Sequence, residues 1–143
     1  MRGRLRSWTW RPGAWPLPAG VRGNFPMALD GTRMVLAIVT RSPARLIMLD
    51  TRTGSGIASL PTCGDADDVF FDAKRQRLYV SCGDGEVDVV QQDGPGYRPL
   101  ARIPTQSGAR TSLFVPELDR LFVAARAGLL GPGAAILVFR PTP

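Results

Sequence analysis

Asp65-Ala66-Asp67-Asp68 packs three carboxylates into four residues. Carboxylates at that density bind a hard cation or polarise a water molecule. A neighbouring arginine neutralises them, or turns the same spot toward an anion. Arg110, followed by Thr111, is the candidate for that role, for a reason given by the repeats described below. The acidic stretch shares only its acid content with a calcium-binding loop, since the distal Glu and the helical flanks are missing. There is no His anywhere in the chain. No Gly-x-Ser-x-Gly elbow and no phosphate-binding glycine loop ahead of a helix are found, and Ser112 has no base beside it. Catalysis, if any, would have to run on carboxylates, with Asp67 and Asp68 as weak metal-ligand candidates.

Such groups act together only if the chain brings them together. The apolar residues come in strand-length runs closed by Gly, Asp and Pro. Met27-Ala28-Leu29-Asp30 is matched 42 residues on by Val69-Phe70-Phe71-Asp72, and 43 residues further by Ser112-Leu113-Phe114-Val115. Leu36, Leu78 and Leu121 each open a second strand six residues beyond the end of the first. Third strands follow at Leu46-Ile47-Met48-Leu49-Asp50, Val87-Asp88-Val89-Val90 and Ala135-Ile136-Leu137-Val138-Phe139. Fourth strands close on an aliphatic residue and a proline, at Leu60-Pro61 and Ile103-Pro104. Proline suits a strand end or edge, where no ladder N–H is needed. Gly83-Asp84-Gly85-Glu86 reads as a hairpin turn.

Four strands in a period of 42–43 residues are the mark of a β-propeller blade. The fold class is therefore all-β, with about three four-stranded antiparallel blades near residues 24–64, 65–108 and 109–143. Ala14-Trp15-Pro16-Leu17-Pro18 carries the same closing signature and reads as an orphan fourth strand, while the third blade lacks its own. Propellers have typically 4–8 blades, so three make a partial propeller, expected as a C-terminal piece of a longer one. The outer faces of the first and last blades are expected to be bare or to pair with another chain.

Several stretches carry a family likeness. They are Asn24-Phe25-Pro26-Met27-Ala28-Leu29-Asp30, Pro43-Ala44-Arg45-Leu46-Ile47-Met48-Leu49-Asp50-Thr51 and Gly64-Asp65-Ala66-Asp67-Asp68. Arg77-Leu78-Tyr79-Val80-Ser81 and Arg110-Thr111-Ser112-Leu113-Phe114-Val115-Pro116 complete the set. Over about residues 14–143 these resemble the YVTN-type β-propellers, the YncE-like bacterial group in particular. Arg77-Leu78-Tyr79-Val80 stands where that group has its Tyr-Val-Thr-Asn strand, with Ser81 at the Thr position and no Asn after it. The resemblance implies a non-enzymatic binding or scaffold protein, often exported, with DNA binding in some members. It implies no cofactor. Localisation is cytoplasmic from the chain as it stands, and periplasmic or secreted if the full-length member carries an export signal. The alternative class is a metal-dependent lactonase or hydrolase propeller.

In a propeller the first strand of each blade lies nearest the axis. Aligning the blades places Asn24, Asp67, Asp68, Arg110 and Thr111 at the innermost strand starts, around the mouth of a channel. A protein or small ligand would bind there. The simpler expectation is an ion pair between blades, joining Arg110 to Asp67 or Asp68. Arg41 and Arg45, which flank Ser42-Pro43, read as parts of a solvated turn.

The net charge of +6 is unevenly spread. Residues 1–23 hold Arg2, Arg4, Arg6, Arg11 and Arg22 with no acid; the rest holds 13 basic and 12 acidic groups. The excess belongs to an arm, residues 1–13, which with Trp8 and Trp10 is expected to be disordered. Such an arm holds phosphates only weakly and with strong salt dependence, so nucleic acid is the disfavoured partner. Cys63 and Cys82 fit no zinc spacing; they could form one bridge, but the expectation is two free thiols buried as small apolar groups. No apolar run approaches the 18 residues of a membrane-spanning helix.

Overall fold

The structure, a computed structural model, describes residues 12–143, and of Asn24 and Phe25 only the backbone. Residues 1–11 of the basic arm therefore lie outside the described residues. Eleven strands and one short 3-10 turn make up the rest. The first sheet holds β1 (Arg22–Asp30), β2 (Val35–Ser42), β3 (Ala44–Asp50) and β4 (Gly56–Pro61). The second holds β5 (Ala66–Asp72), β6 (Arg77–Cys82), β7 (Glu86–Asp93) and β8 (Gly96–Pro104). The third holds β9 (Ser112–Val115), β10 (Arg120–Ala125) and β11 (Ala135–Phe139), with the 3-10 turn Pro116–Leu118 between its first two strands. Each sheet is an antiparallel meander in strand order.

The repeat is visible in the backbone as well as in composition. Met34, Gln76 and Asp119 all adopt positive φ, at 59°, 54° and 54°, in the turn between first and second strands. These non-glycine left-handed residues recur at the same step as the strands. Register follows: Leu36, Leu78 and Leu121 stand opposite Leu29, Phe71 and Phe114. A period of two sends alternate residues to opposite faces. One face of each blade looks to the preceding blade and the other to the next.

Two interfaces result. Ala37, Val39, Leu46 and Met48 of the first blade meet Val69, Leu78 and Val80 of the second. Tyr79, Val87 and Val89 of the second meet Phe114, Leu121 and Val123 of the third, with the Tyr79 and Phe114 rings edge to face at 5.2 Å. Burial of these aliphatic and aromatic side chains, each contributing roughly 1.5–3 kcal/mol, holds the blades together. The innermost strands β1, β5 and β9 lie side by side.

Residues 14–18 form no strand. Pro16 and Pro18 have no N–H to donate, and among the described residues no strand pairs with the segment. The segment nevertheless lies on the first blade, where Leu17 packs against a cluster of Ile38, Ile47 and Leu49. The expected free thiols are corrected: Cys63 and Cys82 form a disulfide, with Cα atoms 5.9 Å apart. Ala66 opposes Cys82 in the β5–β6 ladder. That pairing carries Cys63, just ahead of β5, to the end of β6, within the range a disulfide spans.

Candidate functional site

The connections between blades and the β2–β3 and β6–β7 turns gather at one end of the sheets. Gly83 N donates to Asp65 O at 2.8 Å, and Gly108 N donates to Gly83 O at 2.6 Å. The β6–β7 turn is thus wedged between the two interblade connections. A Cβ on Gly83 would fall 2.1 Å from Asp65 Oδ2, so a larger residue there would displace the Asp65 side chain.

Four charged side chains meet in front of this wedge. Arg41, at the end of β2, pairs with Asp67 and with Asp65 Oδ1 at 3.4 Å. Its Nε also donates to Ala66 O at 3.1 Å. Arg110, just ahead of β9, pairs with Asp65 and with Asp67 Oδ2 at 3.0 Å. Two carboxylates therefore alternate with two guanidiniums, one from each flanking blade. The ring is electrically neutral, and its side chains remain 29–43% exposed. Asp65 foremost, then Asp67, hold the Arg110 guanidinium more firmly protonated than usual.

Asp68 takes another partner. Its Oδ2 accepts from Ser112 N at 2.7 Å, and Ser112 Oγ lies 2.6 Å from the buried Ser81 Oγ. Burial pushes the Asp68 carboxyl above its ordinary pKa, against the Ser112 hydrogen bond, and the Asp67 charge adds to the rise. Replacing Asp68 by Asn keeps an acceptor for Ser112 N and removes a desolvated charge. Urea denaturation should find Asp68→Asn within about 0.5 kcal/mol of the parent, and Asp68→Ala about 1–2 kcal/mol weaker. Equal losses in both would mean that the charge, not the acceptor, matters.

The sequence-derived candidates thus separate. Asp67 and Arg110 are brought together, as the interblade ion pair requires. Asp68 is not joined to Arg110. Thr111 is exposed, and its carbonyl accepts from Ala124 N at 2.9 Å. Asn24 stands opposite Thr40 in the β1–β2 ladder, with its side chain outside the described residues. Sequence reasoning missed Arg41, which was read as part of a solvated turn. Its position aligns with Gly83 and Arg126 at the ends of the other second strands, and that alignment is the available signal. Arg45 instead donates to Ser59 Oγ at 2.7 Å.

Among the described residues, Cys63, Glu86 and Asp88 bring three ligand-type groups close together. The Cys63 sulfur is committed to the disulfide. Asp88 accepts from Thr62 Oγ1 at 3.0 Å and Cys63 N at 2.8 Å, and Arg102 pairs with both Glu86 and Asp88. This cluster ties the first interblade connection to β7 and leaves no thiolate for a metal.

No protein-family model and no curated protein sequence matches the chain. Solved structures do. A chain of the mitotic checkpoint complex matches 70% of this chain at 14% identity, with a TM-score of 0.64 over 32% of its own length. A protein described as a "putative 6-phosphogluconolactonase" from Bacteroides uniformis matches 84% at 12% identity, with a TM-score of 0.66 over 37% of its length. A chain of the nidogen/laminin complex matches 71% at 15% identity, with a TM-score of 0.55 over 39% of its length. The fold is a β-propeller. At these identities the likeness establishes the propeller fold and nothing finer. The chain spans between 32% and 39% of the length of these three chains.

Proposed function

We propose that this chain is a non-catalytic propeller module of the YncE-like type, which presents the end carrying Arg41, Asp65, Asp67 and Arg110 to a protein partner. The observation that carries this reading is the neutral ring itself. Its carboxylates are occupied by guanidiniums, so a cation would have to displace two arginines to reach them. Part-exposed, pre-oriented charges of both signs suit the polar part of a protein interface, where they set orientation and specificity. Two propeller chains similar to this one come from structures described as complexes, which supports the reading. The Cys63–Cys82 bridge fits an oxidising compartment.

The lactonase-like neighbour supports a hydrolase reading, and one measurement separates the two. Thermal melting with calcium or zinc should show no metal-dependent shift. A shift that disappears in Asp67→Asn would overturn the proposal in favour of the hydrolase. The face is tested by affinity capture. The parent and Arg52→Glu, in the turn at the opposite end of the first blade, should retain the same protein, and Arg110→Glu should lose it. Equal capture by all three would exclude this face.

A further inference from the structure

The two ends of the blade stack are complementary in strands as well as in polarity. Blade interfaces in this chain follow one rule. The apolar residue just before each closing proline packs onto the next blade: Leu60 joins the cluster between the first and second blades, and Ile103 the cluster between the second and third. Leu17, just before Pro18, packs onto the preceding-side face of the first blade in the same way. Residues 14–18 therefore occupy the place of a preceding blade's fourth strand, without its other three. The Trp15 ring fixes the segment there, lying so close to Gly54 that a Cβ on that residue would come within 2.2 Å of the indole.

The third blade is the converse, with three strands and no fourth among the described residues. The outer edge of β11 borders an apolar groove of about 460 Å³ lined by Val89, Leu100, Ile103 and Phe139, among others. Its far face is bare, with Leu113, Ile136 and Val138 exposed by 55%, 61% and 56%. On the first blade Met27 and Leu29, each 61% exposed, are bare on the side where a preceding blade belongs.

We infer that a second copy of this chain covers these faces, the third blade of one copy taking residues 14–18 of the other as its fourth strand. The contact continues an interface that the chain already builds twice. It pairs bare apolar face with bare apolar face, and unpaired strand edge with strand-like segment. Three blades from each of two copies give six, within the 4–8 of closed propellers. The contact is reciprocal, so both copies complete each other. Arg45 pairs with Pro61 between β3 and β4; the equivalent pair in the completed blade is Ala135 of one copy with Pro18 of the other.

Light scattering on the purified full chain should give twice the 15.5 kDa of the single chain. Ile136→Lys with Val138→Lys should return it to the single-chain mass. The single-chain mass for the parent, or an open-ended series of larger masses, would overturn the ring. Cross-linking keeps the proposal testable if the lysine variant fails to fold. Pro18→Cys with Ala135→Cys, treated with a short bismaleimide, should give a covalent two-chain product in high yield. No more product than either single-cysteine variant gives would overturn the strand exchange.

Discussion

Replacing both Cys63 and Cys82 by Ala lowers the free energy of unfolding by about 3 kcal/mol and the melting temperature by roughly 10 °C. The bridge closes a separation of 19 residues. It joins the connection that leaves the first blade to the strand end that anchors the second. The unfolded chain without it gains loop freedom, which is where most of the loss arises in the chain-entropy account. Both cysteines are buried, at 3% and 0% exposure, so some of the loss in the alanine pair comes from missing sulfur atoms. The reduced parent separates the two contributions, because it keeps the sulfurs and loses the bond. Thiol titration in denaturant should count none before reduction and two after it. Two thiols in never-reduced protein, or a double-alanine chain as stable as the parent, would defeat the assignment.

What was legible in the sequence was whatever repeats. The 42–43-residue step located the first three strands of each sheet, because each blade buries the same alternating positions against its neighbours. The step also placed Asp67 and Arg110 at the starts of adjacent inner strands, which their pairing required. Features occurring once were harder to read. The disulfide joins residues in different structural roles and fits no repeat, so the reading of Cys63 and Cys82 as free thiols was wrong. Arg41 ends β2 beside a turn that composition marks as solvated, and only its reach across to Asp65 and Asp67 shows its role. Residues 14–18 carry the closing signature of a fourth strand and lie on the first blade, yet form no strand, because a strand needs a partner as well as a pattern. Asp68 went to Ser112 rather than Arg110 because the β5–β6 register shifts at Asp67, which takes the guanidinium, while Asp68 stands opposite Ser81, whose hydroxyl meets that of Ser112.

Replacing Arg75 by Met should cost about 3 kcal/mol, far more than any exposed ion pair in the molecule. Arg75 lies in the β5–β6 turn with its side chain only 9% exposed, beside Asp72 at 2%. Its guanidinium donates to Asp72 Oδ2 at 3.0 Å, to Asp119 Oδ1 at 2.7 Å and Oδ2 at 2.8 Å, and to Pro141 O at 2.9 Å. The Tyr79 hydroxyl donates to the same Asp72 Oδ2 at 2.6 Å. One cation thus joins the second blade to the third at the end opposite the ring of charges. Met keeps the aliphatic stem and deletes the charge, leaving Asp72 buried beside a phenol with no cation. Arg52→Met provides the comparison, since Arg52 is 70% exposed beside Asp50 and its loss should be unmeasurable. Acid adds an independent readout. Arg75 holds the Asp119 carboxyl well below its ordinary value of 3.8. A depressed folded-state pKa means stability that is present above the unfolded value and lost as pH falls toward the folded one. The gap between the parent and Arg75→Met in urea denaturation should therefore narrow from about pH 5 to about pH 2. A gap that ignores pH would remove Asp119 from the latch, and a loss no larger than that of Arg52→Met would remove the latch itself.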